Sequence, residues 1–167
     1  MLITRIFPLV CFALTWSMAK GQDCNVKNKM RPDGSIYYYM DPVLFFNTSE
    51  SKIYGGVSTD KETYFITLFP QPFPPKPKGN KLTQDILISL SNGKEFKLAH
   101  YDSQYLSDTL LVIFYQISKD ALPDFREFDI ETLKLNMGSD KGAQTYQFRL
   151  YKSALREQLA CLIDKKN

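Results

Sequence analysis

The stretch "DILISLSNGKEFKLAH" (85–100) decides the fold, because its apolar residues can be paired in only one way. Asn92-Gly93 suggests a two-residue hairpin loop. That loop would set Leu90 against Glu95 and Ser89 against Phe96, mixing apolar and polar residues on each face. A three-residue loop, Ser91-Asn92-Gly93, instead sets Leu90 against Lys94, Ile88 against Phe96 and Ile86 against Leu98. The faces then agree, and Gly93 takes the left-handed position of a bulged turn. An antiparallel hairpin with one buried face is the expected unit, with Gln84 opposite His100 at its open end.

The sequence on either side repeats this pattern. "RPDGS" (31–35) is a turn, with Pro32 presetting φ and Gly34 tolerating positive φ. "IYYYM" reads as a strand closed by Asp41-Pro42, and "VLFF" (43–46) as the start of another. "KIYGGV" and "TYFITLF" read as two strands around "STDKE", and Gly55-Gly56 suggests a bulge or a close backbone approach. "TLLVIFYQI" (109–117) is apolar in both phases of the alternation, which places it at a sheet centre covered from both sides. "SKDALPDFREF" reads as an irregular or one-turn helical connection with Ser118 as its cap. "TLKLNM" and "TYQFRLY" flank the polar turn "GSDKGAQ" and form a second hairpin that buries Leu133, Leu135 and Met137. In "SALREQLACLIDK", Leu155, Leu159, Leu162 and Ile163 share a helical face, Ser153 caps it, and Cys161 falls beside that stripe. The expected fold is therefore mainly β, an antiparallel sandwich or open barrel with one C-terminal α-helix over 153–164.

Near the start of the chain Arg5 is followed by "IFPLVCFALTW", the pattern of a signal peptide. The apolar run is shorter than the roughly 20 residues that span a bilayer. Ser17, Ala19 and Gly21 supply small residues for cleavage, so residues 1–21 read as a leader and 22–167 as one β-rich domain. Export to the periplasm or the medium is the expected address. Without Arg5 and Lys20 the 21 basic residues become 19 against 18 acidic ones, a net charge of +1. That balance gives no electrostatic case for nucleic acid.

Of three cysteines, Cys11 leaves with the leader, and Cys24 and Cys161 remain as a pair near the two ends. A bridge between them closes a loop of about 137 residues, worth roughly 4–5 kcal/mol in the chain-entropy model. Two free or separately buried thiols are the alternative. Gln22 and Asp23 before Cys24 argue against lipidation, and no basic cluster activates its thiol.

Chemistry-bearing residues are few. His100 is the only histidine, and on a regular strand it shares a face with Asp102. A catalytic triad would still need a nucleophile, and a zinc site further nitrogen or sulfur ligands, so the sequence suggests no metal and no cofactor. "NTS" at Asn47 matches a glycosylation acceptor, relevant only in a eukaryotic secretory route. "PQPFPPKPKGN" (70–80) has five prolines and reads as a polyproline II connector. Phe69 and Phe73 with Lys76, Lys78 and Lys81 make that loop the expected contact surface for a peptide or glycan.

The leader ending near "KGQDC", the "SESKIYGGV…YFITL" strand pair and the closing "YKSALREQLACLI" helix resemble small exported β-rich proteins of Gram-negative bacteria with no assigned function. The resemblance covers most of the mature chain and rests on layout. It implies export and a β-rich fold and transfers no functional residues. Three functions stay open: a non-catalytic module that binds an envelope protein, peptide or glycan; a structural subunit that adds strands to a partner; and an enzyme using His100 and Asp102.

Overall fold

The computed structural model describes residues 24–72, 84–108, 110–136 and 143–164. The leader, Phe73, Lys76, Lys78, Lys81, Met137 and the polyproline stretch from residue 73 onward lie outside them.

The strands are β1 (Lys27–Met30), β2 (Ile36–Tyr39), β3 (Val43–Asn47), β4 (Lys52–Thr59), β5 (Tyr64–Gln71), β6 (Ile86–Leu90), β7 (Glu95–Tyr105), β8 (Leu111–Ile117), β9 (Ile130–Asn136) and β10 (Ala143–Gln147). Two helices, α1 (Leu122–Glu127) and α2 (Ala154–Asp164), follow β8 and β10. All pairings are antiparallel, in the order β1-β2-β4-β5-β8-β7-β6-β9-β10, with β3 also on β4. The sheet is open, as one of the two expected architectures requires, and is a single ten-stranded sheet.

The hairpin over 86–98 has the register that its apolar pattern demands. Ile86 pairs with Leu98 and Ile88 with Phe96, while Leu90 N–H donates to Lys94 O at 2.9 Å. Gly93 stands at φ +80°, a conformation that side-chain-bearing residues rarely adopt. The loop is tied to α1, since Asn92 Nδ2 and Lys94 Nζ both donate to Asp124 Oδ1, at 3.0 and 2.8 Å. Ser118 Oγ accepts from Ala121 N–H at 3.3 Å in the turn before α1, but the helix's N-cap position falls at Ala121, which makes no side-chain cap bond. Ser118 therefore stabilises the lead-in turn and is not the expected cap.

Strand β7 spans eleven residues and joins the two parts of the sheet. Its first half pairs with β6 and its second half with β8. The sheet also curls, because Phe46 of β3 meets Tyr146 of β10 edge-on at 5.1 Å and Phe148 at 5.8 Å. These strands lie far apart in sheet order, so their contact closes the core without closing the hydrogen-bonded ladder. One cluster results, drawing Ile53, Ile66, Ile113 and Tyr115 from one part, Ile86, Ile88 and Leu133 from the other, and Leu155, Leu159 and Leu162 from α2.

The paired glycines of β4 permit a close approach. The register of β3 slips between Leu44 and Phe46, so Phe45 is an extra residue whose ring lies over the Gly55 backbone. A Cβ at Gly55 would occupy the position of that ring. Strands β2 and β3 share one edge of β4, interrupted at Met40-Asp41-Pro42, where Met40 N–H still donates to Val57 O at 3.1 Å. Helix α2 closes over this interruption, with Gln158 Nε2 donating to Asp41 O at 3.2 Å. Cys161 on the buried side of α2 bonds to Cys24, with Cα atoms 5.3 Å apart.

Candidate functional site

Alternation along β4, β5 and β8 gives each strand two distinct faces. Ile53, Val57, Ile66, Leu68, Ile113 and Tyr115 point into the core. The other phase forms cross-strand rows on the outer face. Ser58 pairs with Phe65 and Phe65 with Gln116, and Gly56 pairs with Thr67 and Thr67 with Phe114.

A groove of about 380 Å³ runs over this outer face, within the size range of small-ligand sites. Gly56, Ser58, Thr67 and Val112 are buried along its floor. Half-buried rings form its sides: Tyr37 and Tyr39 from β2, Phe69 from β5 and Phe114 from β8. Exposed Lys29, Pro42, Gln104 and Leu106 stand around its mouth. Gly56, opposite Thr67, contributes by lacking a side chain, since a Cβ there would lie 3.2 Å from Met40 O and against the Pro42 backbone.

The tyrosines are held in place before any ligand arrives. Tyr37 and Tyr39, two residues apart on one face of β2, stack with centroids 6.0 Å apart and planes 22° from parallel. The Arg31 guanidinium lies 4.9 Å from the Tyr37 ring centre and 3.7 Å from the Asp60 carboxylate. Burial raises the pKa of the Tyr37 hydroxyl above its ordinary value, while the nearby Ser58 hydroxyl and the Arg31 charge act in the opposite direction. The phenol is therefore a neutral hydrogen-bonding group at physiological pH.

Phe69, expected as a contact residue, forms part of this groove, while its expected companions Phe73, Lys76 and Lys78 lie outside the described residues.

The expectation that His100 and Asp102 share a face is corrected by a bulge. His100 pairs with Tyr115, yet Asp102 pairs with Phe114, so Tyr101 is an extra residue. One added residue reverses the alternation beyond it. His100 consequently lies on the face of Tyr115, their rings 6.0 Å apart, and Asp102 lies on the outer face opposite Phe114. Tyr101 also turns outward, its ring 4.7 Å from that of Phe65.

His100 is held by Asp85 and not by Gln84. Its backbone N–H donates to Asp85 Oδ1 at 3.0 Å, and Lys97 Nζ lies 3.1 Å from Asp85 Oδ2. The buried His100 Nε2 and Tyr115 hydroxyl have no hydrogen-bond partner among the described residues. Burial lowers the imidazole pKa against the opposing charges of Asp102 and Asp85, and burial raises that of the Tyr115 phenol. Among the described residues there is no group of three or more His, Cys, Asp or Glu side chains able to hold a metal ion. Nor is any described helix long and apolar enough to cross a membrane.

The sequence signal for the groove is the second apolar phase of "TLLVIFYQI" together with Tyr37, Tyr39, Phe65 and Phe69 in alternate positions. Strand β8 is central in the sheet, as its two apolar phases predict, but its outer face borders an open groove and is not fully covered. Set against protein-family models, curated proteins and solved structures, the chain matches none.

Proposed function

We propose that this chain is an exported, non-catalytic binding module whose ligand seat is the aromatic groove on the outer face of β2, β4, β5 and β8. The observation that carries the reading is the groove's buried floor and ring-lined sides, on the sheet face opposite most of the core, which reaches it only through Met40 and Val57. Apolar recognition sites have this construction, with rings giving contact area and a few polar groups giving orientation. The separation of His100 from Asp102 onto opposite faces supports binding over catalysis, since an acid–base pair must reach one substrate atom. Export rests on the leader pattern, and the Cys24–Cys161 disulfide agrees with an oxidising compartment. Strand addition is the weaker reading: edge strand β1 has four residues and carries Lys27 and Lys29, features that discourage pairing with another chain.

The test is titration with N-phenyl-1-naphthylamine, a neutral apolar dye that fluoresces when shielded from water. Saturable binding that weakens at least about tenfold in Phe114→Ala and in Tyr39→Ala is the expected result, since each removes an aromatic side wall. Binding that both variants leave unchanged, or no saturable binding by the native chain, overturns the reading.

A further inference from the structure

We propose that the groove takes an amphipathic anion, an apolar body ending in one carboxylate that pairs with Lys29. This inference rests on the groove being the ligand seat and adds the chemistry of the ligand.

Of the described residues that line the groove, Lys29 alone carries a charge. The neighbouring cations are already engaged. Lys27 Nζ is hydrogen-bonded to Asp41 Oδ2, and Arg31 is paired with Asp60 while lying over Tyr37. Lys29 has no ion-pair acceptor among the described residues. It pairs in register with Tyr37, so its ammonium belongs to the end of the groove that begins at the stacked tyrosines. From there the lining is Tyr39, Gly56, Thr67, Phe69, Phe114 and Val112, with no carboxylate among them.

The acids beside the stacked tyrosines, Asp60 and Asp41, are already held by Arg31 and Lys27; the next on this face is Asp102, placed by the Tyr101 bulge opposite Phe114. It lies on β7, five strand spacings from β1, which is roughly 24 Å along the sheet. The outer face therefore has an uncompensated cation at Lys29, an apolar middle, and a carboxylate at the far margin, Asp102. A neutral apolar ligand would leave Lys29 unused, and a cation would meet it at the mouth. A body with a single anionic head satisfies both ends, with the head at Lys29 and the apolar portion over Phe69 and Phe114. An acyl chain and an aromatic ring system can both supply such a body, and the side walls accept either.

The experiment is calorimetric titration of the disulfide-intact protein with laurate, 1-naphthylacetate, dodecanol and dodecylamine, each below its aggregation concentration. An exposed ion pair gives at most about fivefold in affinity. Laurate is accordingly expected to bind about threefold to fivefold more tightly than dodecanol, and dodecylamine more weakly than both. Lys29→Gln should remove the preference for laurate while leaving dodecanol unchanged, and Lys29→Arg should keep it. Added salt should reduce the preference in the native chain. Whether laurate or naphthylacetate binds more tightly identifies the body as acyl or aromatic. Equal affinity for laurate and dodecanol, or a preference that survives Lys29→Gln, overturns the inference while the groove stands as a neutral apolar site. If neither these ligands nor the neutral dye binds, the groove reading falls with it.

Discussion

The two faces of β4, β5 and β8 use similar residues for different ends. On the inner face Ile53, Ile66, Ile113 and Tyr115 are fully buried, packed beneath α2 and the curled second part of the sheet. On the outer face Val112 and Phe65 are almost as buried, but Tyr37, Tyr39, Phe69 and Phe114 are left half-covered around an open groove. Burial on the inner side comes from elements that the chain itself provides. On the outer side it comes, among the described residues, from neighbouring rings within one layer, and part of the apolar area stays open. The same alternating strands thus close one face over the core and leave rings around an open groove on the other.

That division can be broken most forcefully by loosening the inner cover. Replacing Cys24 and Cys161 by alanine frees α2 from the N-terminal segment and should cost about 4–5 kcal/mol, read as a lower urea midpoint. Equal midpoints for the native and disulfide-free chains would show that packing alone holds the helix. Next in size, Ile113→Ala opens a cavity in the closed face and should cost about 2–5 kcal/mol. Its chain neighbour Phe114, on the groove side, should cost only about 1–2 kcal/mol when changed to alanine, because its side chain is half-exposed already. The contrast between adjacent positions is the point of the pair. If Phe114→Ala proves as damaging as Ile113→Ala, the outer face belongs to the core and not to a ligand.

The smallest expected effect is in pH dependence. Burial lowers the folded-state pKa of His100 below its unfolded value, so the unfolded chain binds the proton more readily. The resulting stabilisation is complete above about pH 6.5 and is lost as pH falls from there towards the lowered folded value. Asp85 has a lowered pKa through hydrogen bonds from the His100 backbone and Lys97, and its contribution fades only at more acid pH, below about 3.8. Urea midpoints of native and His100→Gln chains should therefore diverge between pH 7 and 5. Parallel curves would mean that His100 faces water in the fold.

Local pattern was enough to read much of this architecture. The register from Ile86 to Leu98 follows from matching apolar residues across a turn that only one loop length permits. The β4–β5 and β9–β10 pairs and α2 follow from periodicity, and Cys24 with Cys161 from counting. What escaped were features decided between strands. In "LAHYDSQY" both phases of the alternation are largely polar, so nothing in the local sequence marks Tyr101 as an extra residue. That single insertion moved Asp102 from the side of His100 to the side of Phe114. The groove escaped for a related reason. Two apolar phases in β8 state that both faces avoid water, but not whether the chain covers the second one.

The clasp between Cys24 and Cys161 also has a mechanical meaning. Tension applied to the chain outside these two residues passes from one sulfur to the other and never enters the sheet. The 137-residue separation represents roughly 450–490 Å of contour that stays stored under load. Reduction would transfer the load to edge strand β1 at one end and α2 at the other, the elements nearest the clasp. While the bond is intact, pulling on the ends cannot extend this domain, and the groove keeps its shape under force.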